Sequence, residues 1–273
     1  MTSSEGPAVA DPKCPVCQST SRPEGRRLGG HDIYACDGCS HRFSVAEPAS
    51  SEAYEALYAD GSYAESIVAD TLKRLDEDFA EHPTYRPFFE QVDVGEFPRL
   101  LDVGCGSGRF CRAARAHGWE VTGVDVSSTA VEVASRIVDG TFHVMGLDEA
   151  AERLKDFDVV TAFEVLEHMK DPVDTVDKLT QMVRPGGVVL VTVPCWDSAR
   201  MREGCDPEGD PPRHVQFFTS RSLRRVFDRC GLVDVVVRGI RVRPPVRGLR
   251  SLVWALRRRL GAALGLCVMG RRR

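Results

Sequence analysis

The sequence predicts an α/β protein in which a doubly wound, mostly parallel sheet of seven strands follows a small cysteine-rich module. Strand and helix patterns alternate between residues 98 and 240, which favours a parallel sheet with helices on both faces. A strand near residue 100 runs through closely spaced glycines into a helix. Two Cys-x-x-Cys pairs lie within residues 14–39, ahead of this region. The 273 residues are enough for one large domain and one small one.

Composition limits the classes of function. The net charge is −4, yet residues 241–273 contain ten arginines and no acidic residue, so the body of the chain is acidic. A nucleic-acid-binding protein usually has a basic body, which disfavours that class. No apolar run approaches the roughly 18 residues of a membrane-spanning helix, and no signal-peptide pattern is present. We therefore expect a soluble, cytoplasmic protein whose ten cysteines do not form a disulfide framework.

The glycine-rich loop indicates the kind of ligand. Gly104, Gly106 and Gly108 follow the first strand at alternate positions, and a helical pattern begins at Arg109. Glycine lets the chain turn sharply and lets a ligand lie against bare main chain at the carboxyl end of a parallel strand. A dinucleotide fingerprint would need its third glycine at position 109, and the P-loop lysine is also missing. The pattern Asp102-x-Gly-x-Gly-x-Gly resembles motif I of class I S-adenosylmethionine (SAM)-dependent methyltransferases.

This resemblance implies that SAM is the cofactor. The second strand, residues 120–126, has Asp125 near its end, where a carboxylate is placed to accept hydrogen bonds from both ribose hydroxyls. Asp148 follows the third strand, residues 141–145, and is either an acceptor for the adenine amine or an exposed loop acid. The expected cofactor-binding residues are Asp102, Gly104, Gly106, Gly108, Asp125 and Asp148.

The remaining pattern completes a seven-stranded, Rossmann-like methyltransferase core. Asp171 and Pro172 are a cap and first-turn pair that starts a helix. A Pro-Gly-Gly turn at residues 185–187 then leads into the fifth strand. This turn also resembles the methyltransferase pattern. We expect the last strand to lie antiparallel beside the sixth. The four later strands are predicted at 157–163, 188–193, 233–240 and 266–269, with a helix around 220–230.

The cysteine pairs have the spacing of a metal site. Cys14 and Cys17 form one pair, and Cys36 and Cys39 form the other, with 18 residues between them. Each pair can turn two thiolates toward one centre, and two pairs complete a tetrahedral Zn²⁺ site. Because protein ligands fill all four positions, we expect a structural zinc ribbon, whose core is too small to fold without metal. Two redox-active dithiols are the alternative.

We divide the chain into three predicted units. Residues 1–45 form the zinc ribbon behind a disordered start, residues 46–92 a helical bridge or lid, and residues 93–273 the methyltransferase domain. Within the bridge, a helical pattern at 65–81 either covers the cofactor or only packs on the core. An Arg-rich helix at 248–262, inserted before the last strand, is interpreted as a surface helix docked on the core or as a peripheral membrane contact.

A group of acids and histidines indicates where the chemistry occurs. Glu164, Glu167 and His168 follow the fourth strand, and on a helix their i, i+3, i+4 spacing would place them on one face. Two carboxylates and an imidazole suit a divalent ion such as Mg²⁺, Mn²⁺ or Fe²⁺. Glu-x-x-Glu-His resembles the metal-binding motif of ubiquinone-pathway O-methyltransferases and small-RNA 2′-O-methyltransferases. The second family adds a later histidine ahead of an aromatic, as His214 precedes Phe217 here.

Three interpretations of this group remain open from the sequence. In the first, a divalent ion bound by all four side chains holds two acceptor oxygens and lowers the pKa of the attacked hydroxyl. In the second, His168 or His214, together with Glu164, forms a metal-free acid–base site. In the third, Glu164 and Glu167 only cap a turn, while His214 packs in a loop.

The patterns together predict a SAM-dependent methyltransferase that acts on a small-molecule or glycosyl acceptor, at oxygen, in a biosynthetic pathway. One alternative is an RNA methyltransferase whose zinc ribbon and Arg-rich tail grip phosphates. The acidic body disfavours it, and Tyr34 and Phe43 are too few aromatics for base stacking in the ribbon. A second alternative is a non-catalytic SAM-binding scaffold, which the intact Glu-x-x-Glu-His motif disfavours. The acceptor and the oligomeric state are left open.

Overall fold

The computed structural model describes residues 11–50, 64–198, 201, 209–241 and 265–273. The predicted Arg-rich helix at 248–262, with its membrane interpretation, lies outside the described residues. Within the described ranges, no helix combines the length and the apolar character that are needed to cross a membrane.

Strands and helices alternate along most of the described chain. The strands are β1 (Ser21–Leu28), β2 (His31–Cys36), β3 (Arg42–Phe43), β4 (Arg99–Val103), β5 (Glu120–Asp125), β6 (Thr141–Val144), β7 (Phe157–Phe163), β8 (Val183–Pro194), β9 (Gln216–Phe217), β10 (Val233–Ile240) and β11 (Gly265–Arg271). The α-helices are α1 (Ala64–Lys73), α2 (Arg86–Gln91), α3 (Arg109–Ala116), α4 (Ser128–Ile137), α5 (Leu147–Arg153), α6 (Pro172–Met182) and α7 (Ser220–Arg229). Short 3₁₀ turns cover Phe79–Glu81 and Leu166–His168.

Seven of these strands form the central sheet, in the spatial order β6-β5-β4-β7-β8-β11-β10. The strands from β6 to β8 run parallel, whereas β11 is antiparallel to both of its neighbours. The predicted doubly wound, mostly parallel sheet of seven strands is therefore confirmed, including the last strand beside the sixth. β8 begins earlier than expected, since Val183 already pairs with Phe157 and the register then shifts before pairing resumes at Val188.

The sheet is buried because its side chains alternate between two apolar layers. β7 has only buried residues along its length. Leu100 and Val159 belong to one apolar cluster, while Leu101 and Val160 belong to the other, as the two-residue period of a strand requires. Helix α3 contributes to the first cluster, and α6 and α7 contribute to the second. Helices on both faces leave the carboxyl ends of the strands as the open edge of the sheet.

The cysteine-rich module is an antiparallel sheet in the order β1-β2-β3-β9. β1 and β2 form a hairpin, and β3 adds to β2. The fourth strand, β9, comes from the region that follows β8, and its Phe217 pairs with Arg42 of β3. The sheet of the module therefore includes a strand from the predicted methyltransferase domain. A single boundary at residue 45 does not predict this pairing.

The bridge packs on the glycine loop. Helix α1 and a separate 3₁₀ turn stand in place of the continuous helix predicted over 65–81. The hydroxyl oxygens of Thr71 and Ser107 are 2.7 Å apart, and Arg109 Nε donates to Thr71 Oγ1 at 2.6 Å. The Arg109 guanidinium also pairs with Asp70 at 2.8 Å. These contacts brace the loop between β4 and α3 against α1.

Gly108 lies at the start of α3, against α4. Its φ is +81°, and a Cβ here would lie 2.9 Å from Ala134 Cβ and 3.2 Å from Val138 Cγ2. We expect Gly108→Ala to lower the free energy of unfolding by about 3 kcal/mol, since left-handed strain and overpacking add. Gly231→Ala is the control: φ is +71°, but no described atom lies within 4 Å of its added Cβ. There we expect a loss of about 1 kcal/mol. Urea unfolding measures both losses, and equal values would contradict the packing argument.

Candidate functional site

A cavity of about 790 Å³ opens beyond the carboxyl ends of β4, β5 and β7. This volume is within the range of small-molecule sites, roughly 300–1,000 Å³. Gly104, Asp125 and Asp148, from the loops predicted to hold the cofactor, line it. Glu164 and His168, from the predicted acceptor side, line it as well. The cavity therefore joins the predicted cofactor-binding residues to the predicted acceptor-side residues.

The glycine loop presents bare main chain to this cavity. Gly104 has a φ of +74° and Gly106 a φ of +50°. A Cβ on Gly104 would lie 2.5 Å from Val165 Cγ2, and a β-branched side chain has few rotamers with which to relieve the clash. Gly104 lines the cavity, whereas Gly108 is not among the lining residues and contributes through the packing of α3 on α4.

Asp102 lies beneath the glycine loop. Its side chain is buried; Thr161 Oγ1 donates to its Oδ1 at 2.7 Å, and the Cys111 thiol lies 3.6 Å from its Oδ2. Burial raises the pKa of this carboxyl to about 7. Asp102 is not among the residues that line the cavity, so it would support a cofactor only indirectly, through the position of the glycine loop.

Asp125 ends β5 and faces the cavity. Its Oδ2 accepts a hydrogen bond from the Gly106 main-chain N at 2.8 Å, and its Oδ1 accepts from the Ser127 N at 2.9 Å. The carboxylate therefore ties the glycine loop to the residue that caps α4. An ionised carboxylate has about four acceptor positions, so these contacts are compatible with a ribose as a further donor.

Asp148 lies in the first turn of α5, at the mouth of the cavity. Its side chain is 82% exposed and pairs with Lys178 Nζ at 2.5 Å. Lys178 also pairs with Asp174 at 2.5 Å, and all three residues line the cavity. Lys178 had no distinguishing signal in the sequence, because its i, i+4 spacing from Asp174 is that of an ordinary surface pair on a helix.

The Glu-x-x-Glu-His segment is a tight turn and not the start of an α-helix. Glu164 has a φ of +56°, and Leu166–His168 form a 3₁₀ turn. One ligand atom each from Glu167, His168 and His214 lies within 4.8 Å of the others. Glu164 lies outside this group, and its Oε1 accepts from Thr192 Oγ1 at 3.0 Å. The structure thus brings three of the four predicted residues together and places the fourth on the cavity wall.

The electrostatics of this group are unusual. Glu167 is 1% exposed, and neither of its carboxylate oxygens has a hydrogen-bond partner among the described residues. Burial raises the pKa of Glu167 well above its ordinary value and raises that of Glu164 to about 7. Burial also lowers the pKa of His168 to about 4, which keeps its imidazole neutral near pH 7. A buried carboxylate of this kind is costly unless a cation or hydrogen bonds compensate it.

His168 is oriented as a metal-ligating histidine usually is, and His214 packs against it. His168 Nδ1 lies 2.8 Å from the carbonyl oxygen of Arg213, so Nδ1 carries the proton and Nε2 is an acceptor. The rings of His168 and His214 meet edge to face, with centroids 4.6 Å apart. Two imidazoles and one carboxylate are a donor set that suits divalent iron and similar ions, and the carbonyl partner is the expected outer contact. The unpartnered oxygens of Glu167 fit such an ion.

The four predicted zinc ligands converge in the cysteine-rich module. Cys14 Sγ is 3.6 Å from Cys39 Sγ, and Cys17 Sγ is 3.4 Å from Cys36 Sγ. All four sulfurs lie within 4.8 Å of one another. Tetrahedral Zn²⁺ with bonds of about 2.3 Å places its sulfurs about 3.8 Å apart, so the cluster has the size of a zinc site. The contact between Cys14 and Cys39 lowers the pKa of the Cys14 thiol to about 5 and raises the pKa of the Cys39 thiol, so the two sulfurs share one proton in the absence of metal.

The strand order, the glycine loop after β4 and the acid at the end of β5 together define the class I SAM-dependent methyltransferase fold. A family model described as "Methyltransferase domain" matches residues 61–237. The chain belongs to this family.

Named relatives are consistent with that class. The chain is 42% identical over 100 residues to the ubiquinone biosynthesis O-methyltransferase of Aromatoleum aromaticum, over 34% of this chain and 42% of that protein. It is 30% identical over 181 residues to the enzyme of that name from Idiomarina loihiensis, over 60% of this chain and 73% of that protein. The chain thus spans less than half of the first relative. A Haemonchus contortus phosphoethanolamine N-methyltransferase 2 structure with SAM has a TM-score of 0.59 at 15% identity, over 80% of this chain and 60% of that one. At this identity, the likeness concerns the fold alone.

Proposed function

We propose that the chain transfers a methyl group from SAM to an oxygen atom of a small-molecule or glycosyl acceptor in a biosynthetic pathway. The observation that carries this proposal is the continuity of one cavity. It is lined by Gly104 and Asp125 on the cofactor side and reaches His168, beside the unpartnered carboxylate of Glu167. The names of the matched O-methyltransferases support oxygen as the methylated atom.

In this reaction, the S–CH₃ bond of the sulfonium breaks as the O–CH₃ bond forms, and the electron pair stays on sulfur in S-adenosylhomocysteine. The acceptor hydroxyl loses its proton to solvent if a divalent ion lowers its pKa, or to His168 or His214 in the metal-free alternative. Because the methyl group is already activated, the protein's main task is to align the reactants. Asp125 orients the nucleoside through the ribose, Gly104 lets it lie against main chain, and Asp148 is the proposed adenine contact at the mouth.

We infer that the acceptor side holds a divalent cation through Glu167, His168 and His214, with Glu164 as a fourth residue on the cavity wall. Such an ion would lower the pKa of the acceptor hydroxyl. The chain's own contribution is to keep His168 neutral and fix its Nδ1 proton on the Arg213 carbonyl. The metal-free alternative uses His168 or His214 as a general base, with Glu164 beside it.

We also infer that Cys14, Cys17, Cys36 and Cys39 hold a structural Zn²⁺. The four thiols fill a tetrahedral site and leave no position for a substrate. Ion pairs engage three of the four ribbon arginines, Arg22 with Asp37, Arg27 with Asp32 and Arg42 with Glu24, and the fourth, Arg26, donates to the carbonyl oxygen of Met201. This arrangement favours a structural module over the RNA-binding alternative, which needs unpaired cations along a phosphate backbone.

Native mass spectrometry and a turnover assay test these proposals together. We expect one zinc ion, a second divalent ion, and formation of S-adenosylhomocysteine with a panel of hydroxylated aromatic and glycosyl acceptors. EDTA that leaves the ribbon zinc in place should abolish turnover, whereas calorimetry should still detect SAM binding. Full turnover in EDTA would contradict the divalent site. A folded protein that takes up neither SAM nor S-adenosylhomocysteine would contradict the activity, and turnover would exclude the scaffold alternative.

A further inference from the structure

One buried side chain, Gln216, joins the ribbon to the acceptor side of the cavity. It is 3% exposed, and its Oε1 lies 2.8 Å from Nε2 of His41, which is itself wholly buried. Its Nε2 donates to the carbonyl oxygens of Met169 and Lys170, both at 3.0 Å. The amide therefore uses its acceptor and both of its donors, and His41 is the donor in their contact.

The partners of Gln216 lie next to the proposed divalent site on both sides. Met169 and Lys170 follow His168 directly, and Gln216 itself is two residues beyond His214. The main chain repeats this connection, because Val215 N donates to the Glu167 carbonyl at 2.9 Å. The turn with Glu167 and His168 and the segment with His214 are thus hydrogen-bonded to each other at this point.

The other end of the connection is the ribbon. His41 is two residues from Cys39, and its carbonyl accepts from Cys36 N at 2.9 Å, so the proposed zinc ligands hold its main chain. Its ring lies 4.9 Å from the Phe218 ring, between centroids. Ser44 N also donates to the Val215 carbonyl at 2.9 Å, which binds the ribbon to the segment that carries His214. A continuous set of hydrogen bonds therefore runs from the cysteine cluster to Glu167.

We propose that Gln216 is a positioning residue: through His41 it uses the ribbon to fix the Glu167–His168 turn against His214. The ribbon then supports the acceptor side from behind the Glu167–His168 turn and is not an independent module. This inference rests on the proposed divalent site. It concerns geometry on the acceptor side only, since none of these contacts reaches Asp125 or the glycine loop.

Gln216→Glu tests the proposal with little change of shape. A carboxylate cannot donate to the Met169 and Lys170 carbonyls, so the turn should lose its fixed position. With the zinc-loaded full chain, we expect the affinity for Mn²⁺ to fall about 10-fold, the lower end of the loss when a contact that orients a metal ligand is removed, because Gln216 acts through the main chain next to His168. SAM affinity should stay within about twofold of wild type, and native mass spectrometry should still find the ribbon zinc. Gln216→Met, which removes the same donors without adding charge, should shift Mn²⁺ affinity in the same direction.

Gln181→Glu is the matched control, because Gln181 is an exposed residue of α6 that donates to Asp177 at 2.9 Å. It should leave both affinities unchanged. Wild-type Mn²⁺ affinity in both Gln216 variants would overturn the positioning role while leaving the divalent site in place. A wild-type protein that binds no Mn²⁺ would instead overturn the divalent site, and this inference with it.

Discussion

Glu167→Gln is expected to abolish divalent-cation binding and to slow methyl transfer at least about 100-fold. Removing a residue that only contacts a metal ligand already costs about 10- to 100-fold, and Glu167 is a proposed ligand itself. Glu167 is the only carboxylate in the described group with His168 and His214, and its two oxygens have no hydrogen-bond partner there. The neutral amide keeps the shape but removes the negative charge. SAM affinity should stay within about twofold, because Glu167 makes none of the contacts of the glycine loop. Calorimetry with Mn²⁺ and with SAM, together with the rate of S-adenosylhomocysteine formation, measures the three effects.

The same variant has a second expected result that a purely catalytic role would not produce. In EDTA, Glu167 would stay buried without a compensating cation, and because burial raises its pKa it must take up a proton while its oxygens lack hydrogen-bond partners among the described residues, which destabilises the fold. Glu167→Gln should therefore have a melting temperature in EDTA that is equal to or higher than that of wild type. Glu132→Gln is the control, since Glu132 is an exposed partner of Arg136 and should change neither property. Normal turnover in Glu167→Gln despite lost Mn²⁺ binding would favour the metal-free acid–base site, and unchanged Mn²⁺ binding would contradict the role of Glu167 as a ligand.

Asp125→Asn is expected to lower the affinity for SAM about 100-fold, which corresponds to about 2.7 kcal/mol. The carboxylate accepts from two main-chain N–H groups, of Gly106 and Ser127, on its two oxygens. An asparagine would turn its NH₂ group toward one of these donors, so the glycine loop or the start of α4 would shift. The ribose would lose a charged acceptor at the same time, and hydrogen bonds to charged groups contribute about 1.5–3 kcal/mol each.

Titration calorimetry with SAM and with S-adenosylhomocysteine measures this loss, which should be similar for both ligands because both carry the ribose. Asp148→Asn provides the comparison: Asp148 is the proposed adenine contact, but its side chain is 82% exposed and pairs with Lys178, so solvent screening should keep the loss of affinity below about threefold. Mn²⁺ binding should be unaffected in both variants. Wild-type SAM affinity in Asp125→Asn would show that the nucleoside is held elsewhere in the cavity.

The sequence by itself determined the features that depend on neighbouring residues. The order of strands and helices follows from local hydrophobic periods, and the glycine loop after β4 follows from the need for positive φ at Gly104 and Gly106. The acid at the end of β5 could be predicted as well, because in these cases a few consecutive residues supply both the pattern and the geometry. The approach of the two cysteine pairs, which are 18 residues apart, could be predicted because one zinc ion requires four ligands.

Only the tertiary structure decided how distant segments meet. The predicted helical face of Glu164, Glu167 and His168 is a turn, because Glu164 has a positive φ, and Glu164 consequently lies outside the group that His214 joins. Asp102 lies beneath the glycine loop, although its place in the motif suggests contact with the cofactor. The pairing of β9 with β3, and with it the connection through Gln216, unites segments from opposite ends of the chain. Hydrophobic periodicity records which face of an element is buried, but not which distant element covers it, so these contacts had no local signal.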